Sequence, residues 1–324
     1  MLDRIDQTYM ALTKVICRYQ RVIIVAYNNA HKNNLTRLCH AQGCEMSQIT
    51  FLTIETNDTW VRDYGPQFLI GTDACQYLDF EFNAWGEQFS SHLDDLFAGS
   101  LFECISPCQC QYQRIPYVIE GGNLEFDSHA NLLTNITCIK RNNRQSSLST
   151  DRIIELLKNR LSLKQVHAIN VPPLQGDDTG GHIDTLARFI NDDTIVYSHT
   201  QDKSNPNYDS LALLREQLAN LTNPQGLPYH LIPVSLPEKV SRNEYGHPLP
   251  ASYVNFIFIN HAIVVPLYED RNDQYAIQTL QQACPERKVI GINANDLLEQ
   301  YGSLHCATLH IPEKVLDESW LNTA

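Results

Sequence analysis

Five residues that lie far apart in the sequence carry side chains that could together perform covalent chemistry. They are a thiol, Cys306, an imidazole, His182, and three carboxylates, Asp63, Glu120 and Asp184. Their segments are TWVRDYGP (59–66), EGGN (120–123), GGHID (180–184) and GSLHCAT (302–308). Carboxylates bind a planar guanidinium in a bidentate manner, while a thiolate can attack its central carbon. The set therefore predicts an active site for a guanidinium group.

Each of these side chains also has an ordinary structural interpretation. A free cysteine such as Cys306 is most often a buried, inert thiol, and His182 could be a hydrogen-bonded structural residue. Asp184 could pair with Arg188, but the i+4 spacing brings them together only if the segment is helical. Arg62 could pair with the adjacent Asp63 at the surface, or point away and anchor the first repeat. Taken alone, the thiol favours the structural interpretation; the ordered set of motifs reverses it.

Composition excludes several classes of function. The chain has 324 residues and a formal net charge of −13, so a nucleic-acid partner is not expected, because phosphate binding needs a basic surface. No apolar run approaches the roughly 20 residues of a membrane span. The N-terminus mixes acids into its first residues and lacks the apolar core of a signal peptide. We therefore expect a cytoplasmic protein without a membrane partner; a homo-oligomer is left open.

The acidity is concentrated in one stretch. Residues 63–113 contain no Lys or Arg. The acids of this stretch are Asp63, Asp73, Asp79, Glu81, Glu87, Asp94, Asp95 and Glu103. Such a run is usually a solvated acidic face, but it could also create a negative field that attracts a small cation. Both interpretations stay open from this feature.

The ten cysteines are expected to be reduced thiols, because the chain shows no secretory signal. Cys104, Cys108 and Cys110 form the one cluster, CISPCQC (104–110). Its spacing has no matching second pair of ligands, so loop and core thiols are favoured over a zinc site.

Apolar, strand-like segments recur in pairs, and each pair is followed by a helical or irregular stretch and another strand. The pairs are 66–70 with 74–82, 123–126 with 131–134, 184–190 with 194–198, and 254–260 with 262–268. Helices are predicted over 151–160, 210–219 and 273–283, with a cap at Ser149 or Thr150, and are followed by strands 165–171, 229–236 and 288–292.

The repeated unit is therefore strand, strand, helix, strand. It restarts near residues 63, 120, 183, 254 and 305, a period of about sixty residues that is typical of a ring or an array. The candidate residues, with Asn255 in the fourth unit, all lie near the start of their unit's first strand. In a closed ring these positions meet at the axis, so one domain, 1–324, could build a single small polar site.

The ordered motifs resemble those of agmatine deiminases and the related bacterial peptidylarginine deiminases. The resemblance runs from about residue 51 to 308 and rests on WVRDYGP (60–66), EGG (120–122), GDDTGGHID (176–184), ASYVNF (251–256) and HC (305–306). It implies a pseudosymmetric five-bladed α/β propeller, in agreement with the repeat count, and a hydrolase without a metal or an organic cofactor. The chain departs from the family pattern at Gly180, Ser303 and Leu304, and it starts at a predicted helix, 2–19, without the family's first strand.

The resemblance also implies a role for each residue. Cys306 corresponds to the nucleophile and His182 to the general acid and base. Asp63 and Asp184 correspond to the pair that holds the guanidinium, and Glu120 to a third acid that contacts the guanidinium or orients His182. The candidates for substrate binding are Trp60, Trp85, Asp178 and Asn255. The two tryptophans are more often core residues, but they could form the wall of a pocket for an aliphatic chain, and Asn255 could be structural.

The substrate is expected to be agmatine, giving N-carbamoylputrescine and ammonia. Recognition of an arginine carboxylate calls for a nearby Arg or Lys. Bacterial peptidylarginine deiminases carry arginines after the first motif, where this chain has FNAWGE (82–87).

The alternative is a deiminase of free or peptidyl arginine that gives citrulline. A binuclear-metal agmatinase is disfavoured because no Asp-x-His-x-Asp cluster is present, and a non-catalytic propeller because the reactive set is intact.

Overall fold

The protein is a ring-like α/β structure of five small sheets in the computed structural model, which describes residues 2–71, 74–107, 110–141 and 143–316. Within these residues, four sheets have three strands and one has two. In each three-stranded sheet the first strand runs antiparallel to the second, and the third runs parallel to it. This order confirms the predicted repeat and the five-bladed α/β propeller.

The strands are β1 (Val22–Ala26), β2 (Ile49–Thr53), β3 (Gln67–Ile70), β4 (Cys75–Glu81), β5 (Cys110–Val118), β6 (Glu125–Phe126), β7 (Asn131–Asn135), β8 (Gln165–Ile169), β9 (Ala187–Asn191), β10 (Thr194–His199), β11 (His230–Ser235), β12 (Ile257–Ile259), β13 (Ala262–Leu267) and β14 (Lys288–Asn293). The four complete sheets are β3–β4–β5, β6–β7–β8, β9–β10–β11 and β12–β13–β14, and β1 pairs with β2.

The helices and helical turns are α1 (Leu2–Ile16), α2 (Asn29–Gln42), α3 (Val61–Tyr64), α4 (Ala84–Glu87), α5 (Phe97–Ile105), α6 (Ile136–Ile139), α7 (Thr150–Arg160), α8 (Ile183–Leu186), α9 (Tyr208–Ala219), α10 (Asp273–Ala283) and α11 (Asn295–Leu298). Single 3₁₀ turns cover Met46–Gln48, Gly121–Asn123 and Glu313–Val315. Every helix within the described ranges is too short or too polar to cross a membrane.

The long helices lie where the sequence predicts them. The helix α7 begins after Ser149, whose side chain accepts a hydrogen bond from the backbone N–H of Arg152, so the predicted cap is confirmed. The helix α10 matches its predicted range, and α1 ends three residues before the predicted 2–19 does, at Ile16. The unpredicted β1, α2 and β2 form a strand, helix, strand unit. This unit corresponds to the second half of a blade.

The starts of the first strands differ from the prediction. Short helical turns precede them: α3 before β3, Gly121–Asn123 before β6, and α8 before β9. The candidate residues Asp63 and Asp184 therefore lie in helical turns and not in strands. In the described C-terminal segment, 303–316, the expected strand near residue 305 is replaced by turns. Asp63 and Asp184 from two of these turns meet near Gly122, whereas a pleated strand sends successive side chains to alternating faces.

The largest core cluster extends into the predicted site. The strand β13, sequence AIVVPL, is almost completely buried between β12 and β14, as expected for a strand with neighbours on both sides. The same cluster contains Trp60, Tyr253, Leu304 and Cys306. Burial of each large apolar side chain contributes about 1.5–3 kcal/mol. The turn that carries the thiol is thus fixed by the core and not by a strand.

The expectation of reduced thiols is wrong for one pair of cysteines. Cys75 and Cys110 begin the parallel neighbours β4 and β5, are paired in register, and form a disulfide with a Cα–Cα distance of 4.3 Å. Directly paired residues of neighbouring strands point to the same face, so a separation of 35 residues in sequence does not keep the sulfurs apart. Cys104 is an exposed free thiol, and Cys108 lies outside the described residues.

Three acids of the acidic stretch have structural roles. Asp79 and Asp95 form ion pairs with Arg114 at 2.7 and 2.6 Å. The buried carboxylate of Asp94 accepts hydrogen bonds from the backbone N–H groups of Asn57 and Asp58. These acids are neutralised or hydrogen-bonded, so a broad negative field is not their main role. The carboxylate of this stretch that lies among the candidate site residues is Asp63.

Candidate active site

The thiol of Cys306 lies in a polar recess between two other segments of the ring. Its Sγ is 3.4 Å from Oδ1 of Asn255 and 3.9 Å from Oδ2 of Asp184, and the residue is 9% exposed. Burial, followed by the negative charges of Asp184 and Asp63, raises the pKa of the Cys306 thiol well above its usual range. In the protein without substrate, the sulfur is therefore a neutral thiol.

Asp184 presents one free acceptor beside this sulfur. Burial, then the positive charges of Arg188 and Arg62, lower the pKa of His305, so its neutral imidazole can donate from Nδ1 to Oδ2 of Asp184 at 2.7 Å. Burial raises the pKa of Asp184 to about 7. Within the described chain, its Oδ1 is buried and has no hydrogen-bond partner. An unmet buried acceptor costs about 1–3 kcal/mol, so this atom is best explained by a donor on a ligand.

Asn255 connects the thiol segment to Asp184. Its Oδ1 accepts a hydrogen bond from the backbone N–H of His305 at 3.0 Å, and its Nδ2 donates to the backbone oxygen of Asp184 at 3.4 Å. The same Oδ1 is the close neighbour of Cys306 Sγ. Asn255 therefore fixes where the sulfur lies relative to the free carboxylate oxygen, and it contacts the thiol directly.

The imidazole of His182 is buried between two carboxylates. Its Nε2 is 3.0 Å from Oε2 of Glu120, and its Nδ1 is 3.5 Å from Oδ1 of Asp63. Burial alone would lower the pKa of His182, but Asp63, then Cys138 and Glu120, raise it well above its usual range. The ring is an imidazolium at neutral pH. Because Nε2 is engaged by Glu120, Nδ1 is the nitrogen available for proton exchange with a ligand.

Glu120 contacts His182 through one oxygen and Arg144 through the other. The Nε of Arg144 donates to Oε1 of Glu120 at 2.6 Å, and both side chains are almost fully buried. Burial would raise the pKa of Glu120, but the charges of Arg144 and His182 hold it below its usual range. Of the two roles implied for Glu120, this geometry favours orientation of the imidazole over contact with a guanidinium.

Asp63 is held from two sides. Its Oδ1 accepts from the backbone N–H of Gly122 at 2.9 Å, and its Oδ2 accepts from Nε1 of Trp85 at 2.9 Å. Trp85 lies in α4, where four consecutive residues, 84–87, have positive φ angles between 49° and 91°. Such angles cost about 1–3 kcal/mol per non-glycine residue and persist only where surrounding contacts impose them. The turn directs the indole N–H at Asp63, so Trp85 acts as a hydrogen-bond donor to this carboxylate.

Gly122 joins the two halves of the site. A Cβ at this position would lie 2.5 Å from Oδ1 of Asp63, 2.6 Å from Nδ1 of His182 and 3.3 Å from Oδ2 of Asp184. All three side chains therefore converge on the face of one glycine. Any side chain at Gly122 would displace the imidazole or a carboxylate, so the second glycine of the EGGN segment is required for the geometry.

The two other predicted substrate contacts lie nearby. Trp60 is buried with its ring against the α-carbon of Gly302, which makes it a core residue behind the thiol turn. Asp178 is partly buried on the loop before His182, and burial, then the charge of Asp177, raises the pKa of Asp178 to about 7. Its carboxylate interacts electrostatically with His182, which places it close to the site.

The two arginines considered as ion-pair partners have other roles. Arg188 donates to Glu125 at 2.6 Å, so its proposed pairing with Asp184 is wrong. Arg62 is buried and donates from Nε to the backbone oxygen of His305 at 3.4 Å. It therefore anchors the segment before Cys306, as in the second of its two interpretations. Both cations lie behind the site and are engaged by protein groups.

One group of side chains could in principle bind a metal ion. The ligand atoms of Glu120, Cys138 and His182 lie within 4.8 Å of one another. The Arg144 guanidinium already occupies Glu120, and burial, then the charge of Glu120, raises the pKa of the Cys138 thiol. A cation would have to compete with a fixed guanidinium for the same carboxylate and remove a thiol proton. The donor set therefore does not favour a metal.

Sequence reasoning missed several residues of this site. His305 stands beside the thiol in the sequence, and Gly122 stands in the EGGN motif, so both could have been found from the segments already chosen. Cys138 lies in the short helical turn α6 and Arg144 in the irregular stretch that follows it, with no periodic or spacing signal. They reach the site because the chain folds back across Glu120, which only the tertiary structure shows.

Known proteins share this fold and sequence over nearly the whole chain. The chain is 31% identical over 315 residues to a Legionella pneumophila (strain Paris) protein named provisionally as an agmatine deiminase, covering 96% of this chain and 88% of the relative. A Cys-to-Ser variant of C. jejuni agmatine deiminase, solved with substrate bound, is 33% identical with a TM-score of 0.85. This match covers 94% of this chain and 86% of the C. jejuni chain. A Porphyromonas gingivalis structure, named provisionally as an arginine deiminase, is 35% identical with a TM-score of 0.90. This match covers 98% of this chain and 92% of the P. gingivalis chain.

The family assignment rests on a match that covers almost the whole length. The family model for Porphyromonas-type peptidyl-arginine deiminases matches residues 1–312. This range includes every candidate residue, from Trp60 to Cys306. The chain belongs to the Porphyromonas-type peptidyl-arginine deiminase family.

Proposed function

We propose that this protein is an agmatine deiminase, a hydrolase that converts agmatine and water to N-carbamoylputrescine and ammonia. The observation that carries the proposal is the free Oδ1 of Asp184 beside the Cys306 thiol, with His182 and Asp63 around the same glycine. A guanidinium N–H is the donor that this acceptor lacks. Relatives named as agmatine deiminases, one of them a Cys-to-Ser variant with bound substrate, support this substrate.

The bound cation would activate the thiol. Placed between Asp63 and Asp184, the guanidinium adds a positive charge next to Cys306, where two carboxylates otherwise raise the pKa of the thiol. The pKa of the thiol then falls, and its proton leaves to solvent. The carboxylates hold the guanidinium planar, with its carbon facing the sulfur. Because the thiolate forms only next to substrate, the free enzyme is protected from unspecific alkylation.

The proton of His182 serves the first half of the reaction. The thiolate adds to the guanidinium carbon and gives a neutral tetrahedral adduct. The imidazolium donates its Nδ1 proton to one amino group, the C–N bond breaks, and ammonia leaves an S-alkylthiouronium on Cys306. In the second half, the neutral imidazole removes a proton from water as the water attacks this carbon. The C–S bond then breaks as the hydroxyl of this adduct loses its proton to solvent, which releases the neutral carbamoyl product and the Cys306 thiolate. The thiolate takes up a proton from solvent again, and His182 is left as the imidazolium with which the cycle began.

The assignment is tested by ammonia release from agmatine in the presence of a chelator such as EDTA. We expect release of ammonia and N-carbamoylputrescine at an unchanged rate, because no step uses a metal or an organic cofactor. Urea as product, or loss of activity with EDTA, would instead indicate a metal-dependent agmatinase. The single domain, 1–324, and a cytoplasmic location remain part of the proposal.

We expect agmatine to be used at least about a hundredfold more efficiently than arginine, a gap of about 2.7 kcal/mol in transition-state binding. The buried arginines Arg62, Arg144 and Arg188 are engaged by protein groups and cannot bind a substrate carboxylate. A carboxylate among Asp63, Asp178 and the other acids would be repelled and would lose hydration without compensation. Values of kcat/KM for agmatine, arginine and a peptide ending in arginine decide this prediction.

Comparable efficiency with arginine would favour the alternative, a deiminase of free or peptidyl arginine. The described base best placed for that role is Arg141, which is exposed and whose side chain lies against Gly180, two residues before His182. In that case Arg141→Gln would selectively raise the KM for arginine. If agmatine is the substrate, Arg141→Gln leaves the preference in place.

Neutralising either carboxylate that holds the guanidinium is expected to lower kcat/KM by about 10- to 200-fold. Asp63→Asn and Asp184→Asn each remove charge-assisted hydrogen bonds, worth about 1.5–3 kcal/mol apiece. Initial-rate kinetics on agmatine measure the effect. The matched control is Glu103→Gln, an exposed acid of the same stretch. Asp94 is unsuitable as a control because its buried carboxylate caps backbone N–H groups. Equal losses in all three variants would show that the overall charge, and not a specific contact, binds the substrate.

A further inference from the structure

Arg144 is a buried cation that the catalytic steps above do not use. Its guanidinium donates to Oε1 of Glu120 at 2.6 Å, to the backbone oxygen of Thr179 at 2.7 Å and to the backbone oxygen of Cys138 at 3.3 Å. The side chain is 1% exposed. These bonds connect three segments of the ring at the place where His182 contacts Glu120. A buried guanidinium is retained only where charge and hydrogen bonds compensate it, and here the compensating carboxylate is the partner of the imidazole.

Arg144 supplies the second cation in the tightest charge contacts around the imidazole. The titratable groups that face or surround His182 are Asp63, Glu120, Cys138, Arg144, Asp178, Asp184 and the neutral His305. In the tightest contacts, the cations of His182 and Arg144 offset the anions of Asp63 and Glu120. Without Arg144, Glu120 would be a fully buried anion with the imidazolium as its single cationic contact. Burial would then favour its neutral, protonated form.

We propose that Arg144 is a positioning residue, which keeps Glu120 ionised and oriented at Nε2 of His182 so that the imidazole exchanges its proton through Nδ1. A protonated Glu120 would offer an O–H to Nε2 and would no longer stabilise the imidazolium. Arg144 acts through Glu120 and does not touch the substrate. The kinetic test of this proposal rests on the proposed function, because His182 is the acid and base of that reaction.

The kinetic consequence is a split between kcat and KM. Arg144→Gln is expected to lower kcat on agmatine about 10- to 100-fold with a KM within about threefold of wild type, because the guanidinium contacts of Asp63 and Asp184 are untouched. Without the Glu120 anion, His182 loses its proton more readily. The alkaline limb of kcat against pH is therefore expected to move to lower pH by about one unit or more. Arg144→Lys keeps the positive charge. It should therefore recover part of the lost kcat, and its alkaline limb should lie close to the wild-type pH.

A control variant separates the loss of the Arg144 contact with Glu120 from a general loss of positive charge in this segment. Lys140→Gln removes an exposed cation four residues earlier in the chain, and we expect wild-type kinetics and thermal unfolding. A double-mutant cycle with Glu120→Gln tests the path of the effect, because two residues that act as one unit lose less together than the sum of their separate losses. Additive losses in kcat would overturn the claim that Arg144 acts through Glu120.

A second measurement needs no substrate. Proton–nitrogen NMR of histidine-labelled protein reports the protonation state of His182, with assignment by comparison with His182→Gln. We expect the imidazolium to lose its proton at lower pH in Arg144→Gln than in wild type, and near the wild-type pH in Arg144→Lys. An unchanged or raised titration in a folded Arg144→Gln would overturn the proposal and leave Arg144 a purely structural role. If agmatine is not the substrate, this titration still decides the role of Arg144, so the two failures are distinguishable.

Discussion

Cys306→Ala is expected to lower kcat on agmatine by at least about 10⁴-fold, because it removes the nucleophile that forms the covalent intermediate. Cys306→Ser should lose activity to a similar degree, since the hydroxyl at this position lacks a base that could ionise it. The fold should be retained. The thiol is small, and its turn is fixed by the Leu304 core contact and by the hydrogen bond from Arg62 N to the Cys306 oxygen. Thermal unfolding should therefore change little, while initial rates fall to the detection limit.

Covalent trapping gives the direct test of this assignment. A haloacetamidine carries a positive amidine that mimics the guanidinium, and mass spectrometry should place its adduct on Cys306. The matched control is Cys104→Ser, because Cys104 is an exposed free thiol in α5 and is not one of the candidate site residues. We expect that variant to keep full activity and the same labelled site. Adduct formation at another cysteine, or turnover by Cys306→Ala, would remove Cys306 from its role.

The repeat was predictable because each blade carries its own local signals. The hairpin of β12 and β13, the capped helix α7 and the strand β14 each follow from patterning within about ten residues. The strand, helix, strand unit of β1, α2 and β2 was missed because its strands are only half-buried and its helix is rich in polar residues. There the helix is specified by its Asn28 cap and its Gly43 terminus more than by an apolar face.

The site was predictable as a set of residues but not as a geometry. The five reactive side chains came from short motifs, and the period of the ring indicated that they would meet. What each one touches depends on segments from other blades. Trp85 reaches Asp63 only because residues 84–87 adopt left-handed angles, which neither Trp85 nor Glu87 favours intrinsically. Such strain arises from tertiary contacts, so no local sequence rule predicts it.

Ion-pair partners and the disulfide were hidden from the sequence for a related reason. A stretch without bases left a solvated face and an attractive field equally open, and Arg114, just beyond its end, forms ion pairs with Asp79 and Asp95. The pairing of Cys75 with Cys110 likewise depends on the register of β4 and β5. Counting residues along the chain cannot reveal partners that meet between strands. The same limit hid Arg144, the cation that balances the charges around His182.

His182→Ala is expected to lower kcat by about 10³- to 10⁴-fold, because one imidazole serves as acid in the first half of the reaction and as base in the second. Substrate should still bind, since the guanidinium is held by Asp63 and Asp184. KM is therefore expected to change less than kcat. Pre-steady-state assays should detect neither a rapid release of ammonia nor an accumulated thiouronium. His182→Gln is the closer replacement, because its amide retains a polar contact with Glu120, and it should bind agmatine while remaining inactive.

The pH profile of the wild-type enzyme tests the same role. The rate should rise with pH as the Cys306 thiol of the complex loses its proton, because its raised pKa keeps it neutral at low pH. It should fall again as His182 loses the proton that the leaving ammonia needs, and its raised pKa places this fall on the alkaline side of the ordinary histidine range. The two groups lie in one charged cluster, so the limbs report the pair and not isolated residues. A flat profile between about pH 6 and 9, or normal turnover by His182→Ala, would show that another group moves the protons.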